Sequence, residues 1–357
     1  MFEDANAEAF PAGEARPSRL SQAKLRFMLG HFKRNGKGAF VAFLIGTDEA
    51  GYGPNLGPLT IGGTLWQVPD TSVDLYQALD SVVSPRRGKG RLVVADSKQV
   101  YQSGQTIEVL EKTVLSFLKV VTGATPERFG QLSEMLGFCL QGLGASFASV
   151  AEFPLPVCAE RSEIEAGAER LDQTFGESGC RLTACQTAAI FPSRFNQAVI
   201  KFGNKAEVLS SETLTLAGRL MELRTTGDDS DVWIGCDKHG GRSKYAGMLN
   251  QYLTSEFVRI DKESLESSQY NWQQGCTSVS IRFNAKGEQL LPIALASMMA
   301  KYVREIAMLV WNDFWQGKLP GIRPTKGYPL DARRFKKEIA ELQQSLGIQD
   351  QQIWRSR

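Results

Sequence analysis

A continuous apolar run that stops on two acids constrains this chain more than any other feature. Residues 39–46 read Ala-Phe-Val-Ala-Phe-Leu-Ile-Gly, and Thr47-Asp48-Glu49 follow at once. A run with no polar face suits a strand covered on both sides. A carboxylate at the end of such a strand is costly to bury unless it is paired or holds a cation. The pattern recurs at Val232-Trp233-Ile234-Gly235-Cys236, a short apolar run that ends on Asp237. In open α/β sheets, sites form at strand ends where loops converge.

Around these runs the chain alternates. Leu59–Trp66 is a second apolar run, joined to the first by the Gly- and Pro-rich connection 48–58, and the two read as a hairpin. Residues 91–95 read as a short strand before Asp96-Ser97-Lys98. Ser278–Phe283 alternates strictly between polar and apolar, the mark of a half-buried strand. Helical spacing is found over 105–120 and 206–224. The longest such pattern runs from Ile293 to Trp315, with small residues early (Ala294, Ala296, Ser297, Ala300) and bulky ones late. The stretch 121–190 mixes short apolar runs with Gly and Pro and is assigned to an insertion. Residues 1–38 read as a poorly ordered basic leader, 39–315 as the main domain and 316–357 as a C-terminal helical extension.

Composition narrows the functional classes. With 41 Lys plus Arg against 39 Asp plus Glu, the net charge is +2, so a polyanionic partner would have to be met by local clusters of positive charge. Such clusters exist at Arg86-Arg87-Gly88-Lys89-Gly90-Arg91 and at Lys238, His239, Arg242 and Lys244, which suggests a positive rim around an acidic centre. No apolar run approaches the roughly 18 residues of a membrane span, and no secretory signal is visible. Six cysteines without a CxxC pair and two histidines argue against a zinc site and read as reduced thiols in a cytoplasmic protein. Carboxylates that converge repel one another and raise each other's pKa, a penalty that a divalent cation removes. Oxygen ligands without histidine suit Mg2+ or Mn2+, and two ions about 3.5–4 Å apart would serve phosphodiester cleavage. On spacing alone, turn and loop capping accounts for Asp48 and Asp237 equally well.

A series of motifs decides between these readings. Gly46-Thr47-Asp48-Glu49-Ala50-Gly51-Tyr52-Gly53-Pro54, continuing to Gly57-Pro58, resembles the first motif of ribonucleases HII and HIII. Asp96-Ser97-Lys98 resembles that family's Asp-Ser-Lys motif, and Phe191–Asn196 with Gly203-Asn204-Lys205 its segment before the third acid, here Asp237. Lys286-Gly287-Glu288, Ala296-Ser297-Met298-Met299-Ala300-Lys301 and Lys326-Gly327-Tyr328-Pro329 match the remaining motifs, in the family's order.

The resemblance implies a ribonuclease H-like α/β fold: a mixed, mostly parallel five-stranded sheet flanked by helices, with a C-terminal helical part carrying Tyr328. It implies an endoribonuclease that hydrolyses the RNA strand of RNA–DNA hybrids, or ribonucleotides embedded in DNA, leaving 5′-phosphates. Asp48, Glu49, Asp237 and Glu288 would be catalytic and would hold two Mg2+ or Mn2+ ions. Gly51, Tyr52 and Gly53 would read the ribose 2′-OH, and Tyr328 would stack on a sugar. Ser97, Lys98, Asn196 and Lys301 would complete the substrate site, the lysines contacting phosphates or pairing with the acids. A soluble monomer is expected. Tyr52 stands where ribonuclease HII usually has Arg, Glu288 where it has Asp, and Leu330 where Thr is usual; Glu305 is read as a structural group. Two alternatives remain: a catalytically impaired hybrid-binding protein of the same fold, and a nuclease of this fold acting on structured DNA.

Overall fold

The computed structural model describes residues 41–356, apart from 89, 103–104, 141–142, 144 and 225–229. The expected basic leader, 1–38, lies outside the described residues. Strand β1 (Ala42–Ala50) is the one the apolar run requires. Its two faces enter two separate cores, Ala42 and Leu44 in one and Phe43 and Ile45 in the other. Strand β2 (Leu59–Val68) returns antiparallel to it, with Ala42 opposite Val68 and Ala50 opposite Thr60. Two short strands, β3 (Val83–Ser84) and β4 (Leu92–Val93), pair only with each other. Then come β5 (Arg181–Ile190), β6 (Val232–Asp237), β7 (Arg259–Glu263), β8 (Ser267–Gln274) and β9 (Thr277–Asn284).

The main sheet has seven strands in the order β5-β2-β1-β6-β9-β8-β7. This corrects two expectations, five strands and a mostly parallel sheet. Only the β1–β6 and β6–β9 pairs are parallel; the other four pairs are antiparallel. The strand expected at 91–95 is not in this sheet. Strand β5 lies inside the stretch assigned to an insertion, so residues 181–190 belong to the framework. Strand β7 is an exposed edge whose residues show no apolar alternation.

The helices are α1 (Leu75–Ala78), α2 (Ser97–Val100), α3 (Glu108–Thr122), α4 (Phe129–Leu136), α5 (Arg161–Ser178), α6 (Pro192–Phe202), α7 (Lys205–Glu222), α8 (Ala246–Tyr252), α9 (Leu291–Lys318), α10 (Pro329–Ser345) and α11 (Asp350–Ile353). Helices α3, α4, α5, α9 and α10 fill the core on one face of the sheet, and α6, α7 and α8 the core on the other. The C-terminal helices are part of this packing: Phe335 of α10 contacts Trp311 and Trp315 of α9. Among the described residues, no helix is long and apolar enough to cross a membrane.

Helix α9 lies directly on the backbone of β1 and β2. A Cβ on Gly46 would stand 2.2 Å from the Pro292 carbonyl carbon, and one on Gly62 would stand 2.1 Å from the Ala296 oxygen. Those glycines, with the small residues early in α9, let strand and helix backbones touch. The contact is fixed by hydrogen bonds: Thr60 Oγ1 donates to Ala300 O at 2.8 Å and Thr64 Oγ1 to Pro292 O at 2.9 Å. A second anchor is the buried Glu111 of α3, which accepts backbone N–H groups of Val157, Cys158 and Ala159 at 2.8, 2.6 and 2.8 Å and the Tyr302 hydroxyl at 2.9 Å. It ties the segment before α5 to α9.

Two predictions follow from these anchors. Gly46→Ala forces backbone against backbone and should destabilise the fold by about 3 kcal/mol, the upper range of overpacking. Glu111→Ala strands buried donors and should cost about 3 kcal/mol. Urea unfolding followed by fluorescence checks both; a loss of under about 0.5 kcal/mol in either, the range of an ordinary surface change, would contradict the packing described.

Candidate active site

The parallel register of β1 and β6 sets Thr47 beside Cys236, so the next residues, Asp48 and Asp237, stand side by side where that pairing ends, while Asp48 and Glu49 stay paired with β2. Strand β9 runs parallel on the far side of β6, with Asn284 beside Asp237. The chain then turns through Lys286, whose φ of 67° is in the left-handed region. It next forms a short 3-10 turn, Gly287–Gln289, which carries Glu288. Gly287 N donates to Asp237 Oδ1 at 3.1 Å, which holds Glu288 against the β6 end. Four carboxylates thus lie near enough to act on one another around the ends of the β1–β6 and β6–β9 pairings.

Their electrostatics agree. Burial pushes Asp48 well above the carboxylate range, and Glu49, Asp237 and Glu288 push it further, while a hydrogen bond from Ser297 opposes the rise. Burial and then Asp237 raise Glu49 to about 7, with Lys98 opposing. Asp237 and Glu288 are also raised, first by burial. Lys98 is the cation facing this group. Burial alone would lower its pKa, but Asp96, Asp48, Glu288 and Asp237 together raise it. One ammonium against four mutually repelling carboxylates leaves an acidic, oxygen-rich centre, the donor chemistry that hard divalent cations take. As they stand, no three His, Cys, Asp or Glu side chains among the described residues are gathered tightly enough to hold an ion. The fit is therefore one of donor type and charge.

Helix α2 is set by Asp96, whose carboxylate caps it by accepting Lys98 N at 2.9 Å. That cap places Ser97 and Lys98. Ser97 is buried, and its hydroxyl is 3.0 Å from that of Ser297 on α9. Ser297 donates to Ser97 and also faces Asp48, so α2, α9 and the acids come together at this hydroxyl.

The turn after β1 is locked from several sides. Asn55 N and Leu56 N donate to Gly327 O at 2.8 and 3.3 Å, which brings Gly327-Tyr328 against the Gly51–Leu56 turn. Arg304, 3% exposed, donates to Pro58 O at 2.5 Å, Leu56 O at 3.3 Å and Lys326 O at 3.2 Å. Gly51 has φ of 84°, and a Cβ there would stand 2.6 Å from Arg304 Cδ, so glycine is required twice over. Gly53 is exposed with nothing near its α-carbon. The Tyr52 ring carries Lys205 Nζ 4.5 Å from its centroid. Tyr328 begins α10 and is 56% exposed.

Other expected site residues stand elsewhere. Lys301 donates to Glu305 at 2.8 Å, Lys326 to the same carboxylate at 2.6 Å, and the Tyr101 hydroxyl to it at 3.1 Å. Lys301 is thus engaged with Glu305. Asn196 grips the segment 351–356: its Nδ2 donates to Gln351 O and Trp354 O at 3.2 and 2.8 Å, and its Oδ1 accepts Ser356 N at 2.7 Å. The expected rim after Asp237 is corrected for three of its four residues, Lys244 being exposed. Lys238 is buried, its Nζ donating to Ser264 O at 2.6 Å and Arg242 O at 3.1 Å. Burial holds His239 neutral, its pKa lowered to about 3, with Nδ1 2.9 Å from Ser210 Oγ. Arg242 pairs with Glu207 at 2.9 Å. In the loop before β4, Arg87 and Arg91 are exposed at the surface while each donates to one backbone carbonyl. Lys89 lies outside the described residues. Ser297, Arg304 and Arg355 were not singled out from sequence; the first two lie in or beside a motif, whereas Arg355 carries no signal.

Comparison with known proteins gives matches in structure alone. The chain is similar to ribonucleases HII and HIII of known structure. Ribonuclease H2 from Pyrococcus horikoshii shares 13% identity over 87% of this chain and 92% of its own, with a TM-score of 0.39. A Bst-RNase HIII in complex with Mn2+ shares 12% over 98% and 72%, with a TM-score of 0.38. The RNase HII of a PCNA complex from Archaeoglobus fulgidus shares 14% over 88% and 94%, with a TM-score of 0.35. No family model and no curated protein matches. The chain has the mixed α/β sheet, the helices on both faces and the C-terminal helices that the motifs implied, with the strand count corrected as above.

Buried carboxylates that repel one another are a liability in metal-free protein. Asp48→Asn removes a carboxyl that burial and its acidic neighbours hold against ionising, and should raise the melting temperature in chelator by roughly 2 °C, the effect of about 1 kcal/mol in a chain of this size. Mn2+ should raise the melting temperature of the parent and not of Asp48→Asn. An equal shift in both would mean that the ion binds away from these acids.

Proposed function

We propose that the chain is a divergent ribonuclease of the H type 2 kind, hydrolysing RNA paired with DNA or a ribonucleotide embedded in a DNA duplex. The observation that carries the reading is the meeting of Asp48, Glu49, Asp237 and Glu288 at the ends of adjacent strands, beside a Gly-rich turn tied to Gly327-Tyr328. Those four carboxylates would hold two Mg2+ or Mn2+ ions, which supply an activated water and stabilise the leaving 3′ oxygen, giving a 5′-phosphate. The chain's own groups do the rest. Lys98 balances the acids and faces a phosphate. Ser297, tied to Ser97, flanks the Asp48 carboxylate. The backbone groups of Gly51–Gly53, bare of side chains at either glycine, approach a ribose edge, and the exposed ring of Tyr328 offers a face to a sugar. The protein is read as a monomer working in the cytoplasm.

A second reading is hybrid binding without cleavage. One observation favours it, the spacing of the acids, of which no three are gathered for an ion among the described residues. Both readings are tested by incubation with Mg2+ or Mn2+ and two labelled duplexes, one with a single ribonucleotide in DNA and one with a continuous RNA strand. The reading predicts cutting on the RNA-containing strand that falls at least about a thousandfold in Asp48→Asn, in the range of losing an essential catalytic group. Tight binding with no cutting under either metal would favour the second reading. Equal cutting of a branched all-DNA duplex would move the assignment to structured DNA.

A further inference from the structure

We propose that Arg355 is the positioning residue of the Gly51–Leu56 turn, holding in one shape the surface that the functional reading above gives to ribose recognition; the ribose part rests on that reading. Arg355 is 1% exposed. Its Nη2 donates to Gly51 O at 2.6 Å and also to Pro54 O. One guanidinium therefore bridges the two ends of the Gly51–Pro54 segment. The backbones are zipped as well: Arg355 N donates to Asn55 O at 2.8 Å, Asn55 Nδ2 donates to Arg355 O at 3.3 Å, and Leu56 pairs antiparallel with Trp354. The guanidinium carbon lies 4.9 Å from the Phe195 ring centroid, on the same helix as the Asn196 that grips residues 351–356. Arg355, Phe195, Tyr52, Gly53, Asn55 and Lys205 line a cavity of about 210 Å³.

Stability alone does not account for this arginine. Among the described residues no carboxylate offsets its burial, and its Nε and Nη1 have no hydrogen-bond partner. A second buried guanidinium, Arg304, works on the same turn, and the two repel. A buried, incompletely satisfied cation beside a like charge is a costly way to fill space, and an apolar side chain of similar volume would fill it at less cost. What an apolar side chain lacks is a nitrogen whose two N–H groups can hold two carbonyls at once, as Nη2 does here. The turn needs such a hold, because Gly51 and Gly57 adopt φ of 84° and 75° and Gly53 meets nothing. Glycines give access to a ligand and leave the chain free to rearrange. Arg304 secures the carbonyls of residues 56 and 58, and Arg355 those of 51 and 54. With Gly51 O and Pro54 O drawn inward, the opposite side of the turn is left to the substrate.

The test uses Arg355→Met, which keeps volume and removes the donors, beside Arg355→Ala and Arg355→Lys. Hydrogen exchange is read for the amides of residues 51–57 and, as a control for folding, for those of β1 and β6. Affinity is read for a one-ribonucleotide duplex and for its all-DNA counterpart, on an Asp48→Asn background so that nothing is cut. Arg355→Met should speed exchange in the turn by about tenfold while β1 and β6 hold, and should reduce the ribose preference by a similar factor, with partial rescue by Lys. Turn exchange within about twofold of the parent, with the ribose preference intact, would overturn the proposal. Faster exchange throughout β1 and β6 would do so too, since Arg355 would then be a general support of the fold. A parent that shows no ribose preference would sink the functional reading instead, and turn exchange alone would then decide whether Arg355 positions the turn.

Discussion

The contact on which the rest of the molecule depends is backbone against backbone, α9 lying on β1 and β2 with no side chain between. Gly46 and Gly62 make it possible, and two threonine hydroxyls bonded to α9 carbonyls hold it in register. Because α9 cannot slide, Ser297 stands at Asp48 and Arg304 under the Gly51–Pro58 turn. A side chain in that interface would lift the helix and disperse both. The same helix donates its Tyr302 hydroxyl to Glu111 of α3 and packs Trp311 against Phe335 of α10, so the C-terminal elements are fixed through it. The helix therefore connects the acids, the turn and Tyr328 to one rigid support.

Charge is arranged around that support in separated layers. The acids occupy the strand ends, faced by Lys98. Behind the neighbouring turn lie two buried guanidiniums, Arg304 and Arg355, whose pKa values are lowered by burial to about 10 and about 9. Both stay charged near neutrality, and both spend their donors on backbone carbonyls. A polyanion approaching the acidic centre would thus meet positive charge beneath the turn as well as at Lys98. On the proposed function, this arrangement would let a chain of net charge +2 meet nucleic acid with local positive charge. Of the expected rim, Lys238, His239 and Arg242 are taken up by carbonyls, a hydroxyl and Glu207, and Lys244 alone is exposed.

Much of this was legible because the informative segments are short and local. β1 announced itself by a fully apolar run, β9 by strict alternation and α9 by small residues early in a long helical period. The motifs drew Asp48, Glu49, Asp237, Glu288, Lys98 and Tyr328 from distant parts of the chain, and in the fold the four acids lie near enough to raise one another's pKa values. Other elements gave no local signal. β5 mixes buried and half-buried residues and follows a long stretch of helices, so its pairing with β2 is decided by tertiary packing. β7 and β8 are rich in polar residues, and only Tyr270 and Trp272 mark the buried face of β8. Lys238 and His239 look like a solvated cluster in sequence, yet the turn after β6 folds them inward. Asn196 matched a motif, but its side chain is occupied by residues 351–356. Arg355 lies three hundred residues from its partner Asn55, and nothing in its surroundings marks it.

The central claim is that the acids at the strand ends and the Gly51–Leu56 turn form one site for a ribose in a duplex. The most direct measurement is a crystal structure of the Asp48→Asn variant with a DNA duplex holding one ribonucleotide. The account predicts the ribose against Gly51–Gly53, with Tyr328 on a neighbouring sugar and the adjoining phosphate between Asp237 and Glu288. A duplex seated on another face, or a ribose away from the turn, would contradict it.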